Sequence, residues 1–275
     1  MSQILHIPAS IQARLASGDA FEAMMQLSGK AFRDVPGRKT MQVMVGDKSY
    51  FIKQHFGVGW GEIIKNVISF KKPILGAMTE VSAIQRLVEI GIPTTPLVAY
   101  GQRGVNPAKV QSFILTEDLG EIVSLEDLCA NWITQPPAPA LKQQLIIAIA
   151  VLAAKLHGAG LCHRDFYLCH FVLKQADLDQ GDLNLILIDL HRMLQGQAAN
   201  GTAVMKDIAG LFFSAMDSWA EEDYALFQQH YLPQSAQFWQ QVNKRAQKLH
   251  AKFNSAQFQQ RLRVEKSAIE VDEGR

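Results

Sequence analysis

The chain has 275 residues, of which 48% are hydrophobic and 19% charged, so it can bury a core and lacks the composition of a disordered chain. Twenty-seven basic and 26 acidic residues leave a net charge of +1, which argues against a protein built mainly to neutralise nucleic-acid phosphates. The 3 cysteines are not the dense, even set of a secreted disulfide scaffold, so a reducing, cytoplasmic setting is expected.

The first part of the chain predicts a small β-rich region. Apolar residues at helical spacing between positions 11 and 27 predict one or two short helices. The turn pairs Pro36-Gly37 and Gly46-Asp47 then separate three short apolar segments, which predicts an antiparallel meander. The predicted strands are Gly29–Val35, Thr40–Val45, Ser49–His55, Leu97–Tyr100 and Ser112–Thr116, and the predicted helices are Glu62–Phe70 and Met78–Ile90.

The rest of the chain is predicted to be mainly helical. A Pro-rich loop leads into a long apolar helix, Leu141–His157, which ends before Gly158 and Gly160. Its apolar run, Leu145–Ala154, is about half of the ~20 residues that cross a bilayer, so we expect a buried helix and only peripheral membrane contact. The other predicted elements are the strands Phe171–Lys174 and Leu183–Asp189, the helix Val204–Ser214 and a basic amphipathic helix within Gln241–Lys266.

One ordered set of motifs in this second part carries chemistry. Residues 156–165 read LHGAGLCHRD, then come the strand at 171–173 and a second strand that ends in Leu187-Ile188-Asp189. This order resembles the catalytic core of the protein-kinase-like fold, where a helix ends in L-H-x-x-G, a loop carries H-R-D and a later strand presents a metal-binding Asp. The resemblance implies a bilobal α+β fold, with a small β-rich, ATP-binding N-lobe at residues 1–118 and a larger, mainly helical C-lobe at 119–275.

Phosphoryl transfer needs two acids in different roles. One acid holds a metal ion against the negative charge of the phosphates, and the other orients the acceptor hydroxyl and accepts its proton. Asp189 suits the metal and Asp165 suits the hydroxyl, while His163 and Arg164 complete the catalytic loop and fix its shape. A loop Asp that only caps a local turn is the alternative for Asp165.

A lysine inside an apolar strand indicates where nucleotide phosphates bind. Lys53 ends the segment Tyr50-Phe51-Ile52-Lys53, where an unpaired ammonium group would be costly to bury. The resemblance supplies Glu80 as its partner, and it also implies that backbone groups from Glu117 to Leu119 meet the adenine. The alternative is that Lys53 lies on a solvent-facing edge of the sheet.

The chain departs from the protein-kinase pattern at three places. The turn before Arg38 and Lys39 has no G-x-G-x-x-G spacing, so these two side chains are expected to meet the phosphates. His170 stands where a second metal-binding Asn is expected, which leaves the number of metal ions open. Only about a dozen residues, His191–Ala203, separate Asp189 from the next helix, too few to dock a peptide, so the acceptor is expected to be a small molecule or a glycan.

Several stretches are similar to the lipopolysaccharide core heptose (I) kinase family, over roughly residues 20 to 215. The resemblance implies ATP- and Mg²⁺-dependent phosphorylation of the first inner-core heptose, at the cytoplasmic face of the inner membrane of a Gram-negative bacterium. It also implies an acyl carrier protein partner. The similar stretches are HRDFYLCHF at 163–171, IDLHR at 188–192, GWGEIIKN at 59–66, PILGA at 73–77 and ILTEDL at 114–119.

Some alternatives stay open at this point. The enzyme could phosphorylate another sugar or a small molecule such as an aminoglycoside, or the chain could be a catalytically silent nucleotide-binding module, since His170 replaces the expected Asn. The pairs Cys162-His163 and Cys169-His170 lack the usual spacing of zinc ligands, and packing is favoured for them. The basic helix is expected to pack through its apolar stripe, with docking on anionic lipid or glycan as a secondary effect.

Overall fold

The computed structural model describes residues 2–35, 37–57, 59–61 and 76–263. The predicted helix Glu62–Phe70, parts of the two similar stretches at 59–66 and 73–77, and the end of the predicted basic helix at 264–266 lie outside the described residues. The chain forms two compact units. The first contains Met1–Val123 and Val172–Met193, and the second contains Ser124–Phe171 and Leu194–Arg275.

The first unit is built on a six-stranded antiparallel sheet in the order β1-β5-β6-β4-β3-β2. The predicted meander is β2–β4, with the β3–β4 turn at Gly46, whose φ of 69° favours glycine. β3 begins earlier than predicted, and β1 was not predicted at all. The strands are β1 Gln3–His6, β2 Lys30–Val35, β3 Arg38–Val45, β4 Lys48–His55, β5 Leu97–Arg103 and β6 Gln111–Glu117.

Helices cover this sheet because alternate strand residues are apolar. α1 (Ala9–Gln12) and α2 (Ala20–Met25) close a core in which Phe21, Ile52 and Phe113 are fully buried. α3 (Met78–Glu89) packs against β5 and β6, and Glu80 lies on its buried side. The two short N-terminal helices and α3 match the sequence prediction to within a few residues.

A small second sheet contains the strands of the segment Val172–Met193, which belongs to the first unit. Its order is β7-β8-β9, formed by Ile122–Ser124, Phe171–Lys174 and Ile186–Leu187, and a short helix, α6 (Gln175–Asp179), lies between β8 and β9. The Leu187 N–H donates to the Pro93 carbonyl at 2.9 Å and the Thr94 hydroxyl donates to the Leu187 carbonyl at 2.7 Å. These bonds explain why Val172–Met193 groups with the N-terminal unit, whereas the sequence placed everything after 118 in one C-lobe.

The second unit is helical, with α7 packed against α9 and α5 packed against α8. Two aromatic residues from α7 and α8, Phe212 and Phe227, are buried at its centre. The basic helix α9 buries Phe238, Val242 and Ala246, so the first part of its apolar stripe packs as expected, whereas Phe253 at its end is 41% exposed. The helices are α4 Leu125–Cys129, α5 Pro139–Gly158, α7 Thr202–Ser214, α8 Glu221–His230 and α9 Ala236–Phe253.

The long helix α5 is the one described helix that is long and apolar enough to cross a membrane. It has 20 residues and extends beyond the apolar run Leu145–Ala154 at both ends. Eight of these residues are buried within the protein, and Lys142 at its start pairs with Asp223 of α8 at 2.5 Å. This burial and this ion pair are typical of the core helix of a folded unit.

Candidate active site

Lys53 and Glu80 form the centre of the site in the first unit. Lys53 lies on β4 and its Nζ is 2.7 Å from Oε1 of Glu80 on α3. The two side chains are only 18% and 7% exposed, so each charge depends on the other for compensation. Burial by itself would lower the pKa of Lys53, but the adjacent Glu80 and Asp189 outweigh it and raise that pKa, so the amine stays protonated.

Asp189 supplies a second carboxylate to Lys53. It follows β9, and its Oδ1 lies 3.1 Å from Lys53 Nζ and 2.7 Å from Nδ1 of His191. Burial would raise the pKa of Asp189, yet the His191 hydrogen bond and the Lys53 charge lower it well below its ordinary value. The carboxylate is therefore ionised at neutral pH, the state that a metal ligand requires.

Strand alternation separates Arg38 from Lys39. Arg38 is paired with His55 across the β3–β4 ladder and so shares the face of Lys53, two residues away on β4. Lys39 points to the opposite face and its exposed amine pairs with Asp34 at 3.0 Å. The structure thus places Arg38, but not Lys39, on the face that carries the Lys53–Glu80 pair.

Two polar side-chain atoms around Lys53 lack hydrogen-bond partners in the described part of the chain. They are Arg38 Nε and Glu80 Oε2, and both atoms are buried. The pKa of Arg38 is lowered, because the effect of burial outweighs the opposing charges of Glu80 and Asp189. A guanidinium nevertheless stays charged at physiological pH. Burial, with help from Arg38 and Lys53, lowers the pKa of His55 to about 4, so His55 is neutral at pH 7.

Asp118, in the segment that follows β6, holds this segment against strands β3 and β4 by hydrogen bonds. One of its carboxylate oxygens accepts hydrogen bonds from Ser49 and Gln42, both at 2.7 Å, and the other accepts from the Gly120 N–H at 2.9 Å. The Glu117 N–H donates to the Pro96 carbonyl at 3.0 Å, so this N–H is engaged within the protein. Sequence reasoning missed the part played by Asp118.

The loop that carries His163, Arg164 and Asp165 lies in the second unit, after α5. Asp165 is partly exposed, and its carbonyl accepts the Tyr167 N–H at 3.0 Å and meets His170 Nδ1 at 2.5 Å. His163 is fully buried, and Arg164 adopts a left-handed backbone with φ of 73°. Such a conformation costs a non-glycine residue about 1 kcal/mol, so the surrounding structure must hold it.

Asp207 of α7 holds that loop. Its buried carboxylate accepts the His163 N–H at 2.5 Å and the Arg164 N–H at 2.9 Å, one on each oxygen. His157, fully buried at the end of α5, contacts Tyr231 at 2.7 Å through Nδ1 and approaches Asp207 at 3.4 Å through Nε2. Asp207 and His157 therefore have a structural role, because their polar atoms are engaged in holding the loop and the end of α5.

A buried group of His157, Cys162 and Asp207 has ligand atoms within 4.8 Å of one another. The hydrogen bonds just described engage the histidine nitrogens and both carboxylate oxygens, and burial raises the pKa of Cys162 to about 12. A protonated thiol among satisfied hydrogen bonds is a core arrangement, which agrees with the packing role predicted for this cysteine.

The chain matches a family model and several known proteins. The model is the lipopolysaccharide kinase (Kdo/WaaP) family, over residues 22–231. The lipopolysaccharide core heptose(I) kinase WaaP of Pseudomonas aeruginosa PAO1 is 45% identical over 206 residues, which are 74% of this chain and 77% of that protein. The enzyme of the same name from Escherichia coli K12 is 42% identical over 200 residues, 72% and 76% of the two chains.

A solved structure also matches. It is that of WaaP in complex with acyl carrier protein, with a TM-score of 0.76, 34% identity and coverage of 91% of this chain and 100% of that one. The α+β, protein-kinase-like fold that the sequence predicted is confirmed.

Proposed function

Because this chain belongs to the lipopolysaccharide kinase (Kdo/WaaP) family, we propose that it transfers the γ-phosphate of ATP to a hydroxyl of the first heptose of the lipopolysaccharide inner core. The observation that carries the proposal is the 45% identity to a lipopolysaccharide core heptose(I) kinase over 206 residues. The family model matches residues 22–231, a range that includes the site residues described above. The enzyme is a sugar kinase of lipopolysaccharide core biosynthesis.

The residues of the first unit fit ATP and Mg²⁺. Hard cations such as Mg²⁺ take carboxylate oxygens, and Asp189 offers an ionised carboxylate beside the protonated amine of Lys53. Arg38 adds a partly buried guanidinium whose buried Nε has no partner among the described residues, which suits a phosphate oxygen. When bound, Mg²⁺ neutralises developing charge on the phosphates. In this proposal the Glu117 carbonyl and the Leu119 N–H meet the adenine.

The residues of the second unit handle the acceptor. Asp165 orients the sugar hydroxyl and takes its proton as the oxygen–phosphorus bond forms and the bond to the β-phosphate oxygen breaks, with release of ADP. His163 and Arg164 support this step through the backbone bonds to Asp207. Lys39 has no part in phosphate binding here, because it pairs with Asp34 on the other face of the strand.

His170 is proposed as a metal ligand in place of the expected Asn. Its contact with the Asp165 carbonyl requires a proton on Nδ1, since a carbonyl oxygen can only accept. The neutral ring then carries its lone pair on Nε2, the form in which imidazole binds metals. Imidazole is a softer ligand than Mg²⁺ prefers, so Asp189 is the principal ligand of this proposal.

Two partners follow from the proposed reaction. A lipid-linked acceptor places the enzyme at the cytoplasmic face of the inner membrane, and the exposed lysines of α9 can contact anionic headgroups. An acyl carrier protein is proposed as a protein partner, because the matching solved structure is of WaaP with an acyl carrier protein.

Mass spectrometry of inner-core glycolipid tests the function directly. Incubation of unphosphorylated glycolipid with ATP, Mg²⁺ and the protein should add one phosphate to the first heptose. The Asp165→Asn variant should lower the rate by about 10²–10⁴-fold while its melting temperature stays close to that of the wild type.

Different results would redirect the proposal. Phosphate on another sugar, or on a small acceptor such as an aminoglycoside, would change the substrate and leave the chemistry in place. Nucleotide binding without transfer to any acceptor would indicate a silent module. An Asp165→Asn variant with near-normal transfer would remove the proposed mechanism.

A further inference from the structure

His191 follows the metal-binding Asp189 by two residues and is not used in the reaction as proposed above. Its Nδ1 lies 2.7 Å from Oδ1 of Asp189, and its side chain is only 12% exposed. Lys53 contacts the same oxygen at 3.1 Å. Two donors thus converge on one oxygen of this carboxylate, which fixes its rotation about the side-chain bond.

The backbone around this contact is also held in place. Asp189 adopts a left-handed conformation, with φ of 61° and ψ of 56°, which an L-residue other than glycine seldom takes. The next three residues, Leu190–Arg192, form a 3₁₀ turn that packs against α3, with Leu190 buried. His191 is therefore fixed relative to the helix that carries Glu80, and it can act as a rigid donor to Asp189.

We infer that His191 is a positioning residue for the metal-binding carboxylate, whose Nδ1–H holds Asp189 in the orientation in which it binds Mg²⁺. The inference rests on the proposed function, since it assigns a role within the same nucleotide site. Outer partners of this kind orient a ligand, and their loss lowers metal affinity or activity by about 10–100-fold. The imidazole does not itself contact the metal in this inference.

Two amide substitutions separate positioning from general packing. In His191→Asn the amide nitrogen is attached to Cγ, as Nδ1 is in histidine, so the variant keeps a donor at the same distance from the backbone. In His191→Gln the donor is one atom further away and overshoots Asp189 Oδ1. His191→Leu removes the donor and keeps an apolar side chain of moderate size.

Binding of Mn²⁺ to the protein with ADP, measured by electron paramagnetic resonance, reports the metal site without any turnover. We expect His191→Asn to stay within about threefold of the wild-type affinity, and His191→Gln and His191→Leu to lose about 10–100-fold. In glycolipid assays the same two variants should need more Mg²⁺ for half-maximal rate and recover most of their rate at saturating Mg²⁺. Circular dichroism melts identify any variant that fails to fold, in which case the Asn and Gln variants decide the question.

The possible failures can be told apart. Equal Mn²⁺ affinity in the Asn and Gln variants, or wild-type affinity in His191→Leu, overturns the positioning role and leaves the kinase assignment intact. Normal metal–ADP binding by the wild type without transfer to heptose overturns the proposed substrate and leaves the role of His191 intact. A wild type that binds no divalent cation with ADP overturns both.

Discussion

Lys53 is a buried cation that is compensated by two carboxylates from distant parts of the chain. Glu80 is 27 residues away and Asp189 is 136 residues away. Breaking a buried ion pair from one side leaves an uncompensated charge, which commonly costs about 3–5 kcal/mol. Removal of either partner should therefore be strongly destabilising, although the net contribution of the intact group to stability is smaller than this cost.

A double-mutant cycle on Lys53 and Glu80 checks this. Lys53→Met should lower the free energy of unfolding by about 3 kcal/mol, because it leaves Glu80 buried without its cation. Glu80→Gln should be destabilising too, but the double variant should be clearly more stable than the sum of the singles predicts. Urea unfolding measures all four proteins, and strictly additive effects would mean that the pair is not coupled.

His55 makes stability depend on pH in a defined window. Its pKa is about 4 in the folded protein against an ordinary value of 6.5, so between these two values the unfolded chain binds the proton more readily. The free energy of unfolding should therefore fall as the pH drops from about 6.5 to about 4, by about 3 kcal/mol from this residue. His55→Gln should remove most of this dependence.

Urea unfolding at several pH values above 4 measures this effect, because the contribution of the lowered pKa of Asp189 is lost only at more acidic pH. The same substitution at the exposed His230 is the matched control. A pH dependence that is unchanged in His55→Gln would contradict a neutral, buried imidazole at this position.

At the scale of elements, the important contact is between α7 and the loop that carries His163, Arg164 and Asp165. Asp207 holds the N–H groups of His163 and Arg164, and Ser214, two turns further along α7, accepts the Leu168 N–H at 3.0 Å. Gly210 lies between them, and a side chain there would meet the Tyr167 ring at 3.1 Å and the Phe166 carbonyl at 3.3 Å. The helix α7 therefore fixes the conformation of the loop through contacts at three positions, Asp207, Gly210 and Ser214.

Asp207→Asn should damage activity more than stability. The amide can accept only one of the two backbone N–H groups and presents a donor to the other, which costs about 2 kcal/mol of unfolding free energy. The strained backbone at Arg164 should relax and displace Asp165, so kcat should fall on the order of 10²-fold. Steady-state transfer assays on the folded variant, below its melting temperature, measure this.

Ser214→Ala provides the control for this prediction. It removes a bond from the same helix to the same loop, but downstream of Asp165, and should cost about 1 kcal/mol with kcat within a few-fold of the wild type. An Asp207→Asn variant whose kcat is no worse than that of Ser214→Ala would contradict the role given to Asp207.

At the scale of the whole molecule, the net charge is close to neutral, but one local surface is clearly positive. The exposed side of α9 carries Lys244, Lys248 and Lys252, four residues apart and so on one face, while the opposite face is buried. Near an anionic membrane each such lysine contributes about 1 kcal/mol. This face is the feature of the described residues that best fits the proposed peripheral attachment.

Charge reversal tests the membrane contact. The triple variant K244E/K248E/K252E should bind vesicles that contain anionic lipid about 10²-fold more weakly than the wild type, and raised salt should weaken wild-type binding in the same direction. Sedimentation with vesicles measures the partition. The matched control reverses three exposed lysines of the first unit, K48E/K109E/K174E. Equal loss in both triple variants would mean that net charge, and not the α9 face, controls binding.

The sequence by itself determined the family, the order of the motifs and most elements. The H-R-D loop at 163–165, the strand Lys53 and the helical Glu80 all occur in short segments whose local pattern fixes helix or strand, so they could be read without the fold. The same local patterns missed β1, which is an exposed edge strand without alternating burial, and the early start of β3.

Only the tertiary structure decided which side chains act together. Arg38 and Lys39 look alike in sequence, but the register of β3 against β4 places one beside the site and the other in an exposed pair with Asp34. The hydrogen bond from His191 to Asp189 depends on a left-handed backbone at Asp189, which no local sequence pattern predicted. The reason is physical: a sequence fixes local periodicity, whereas pair contacts between distant segments depend on register and packing that the whole chain sets together.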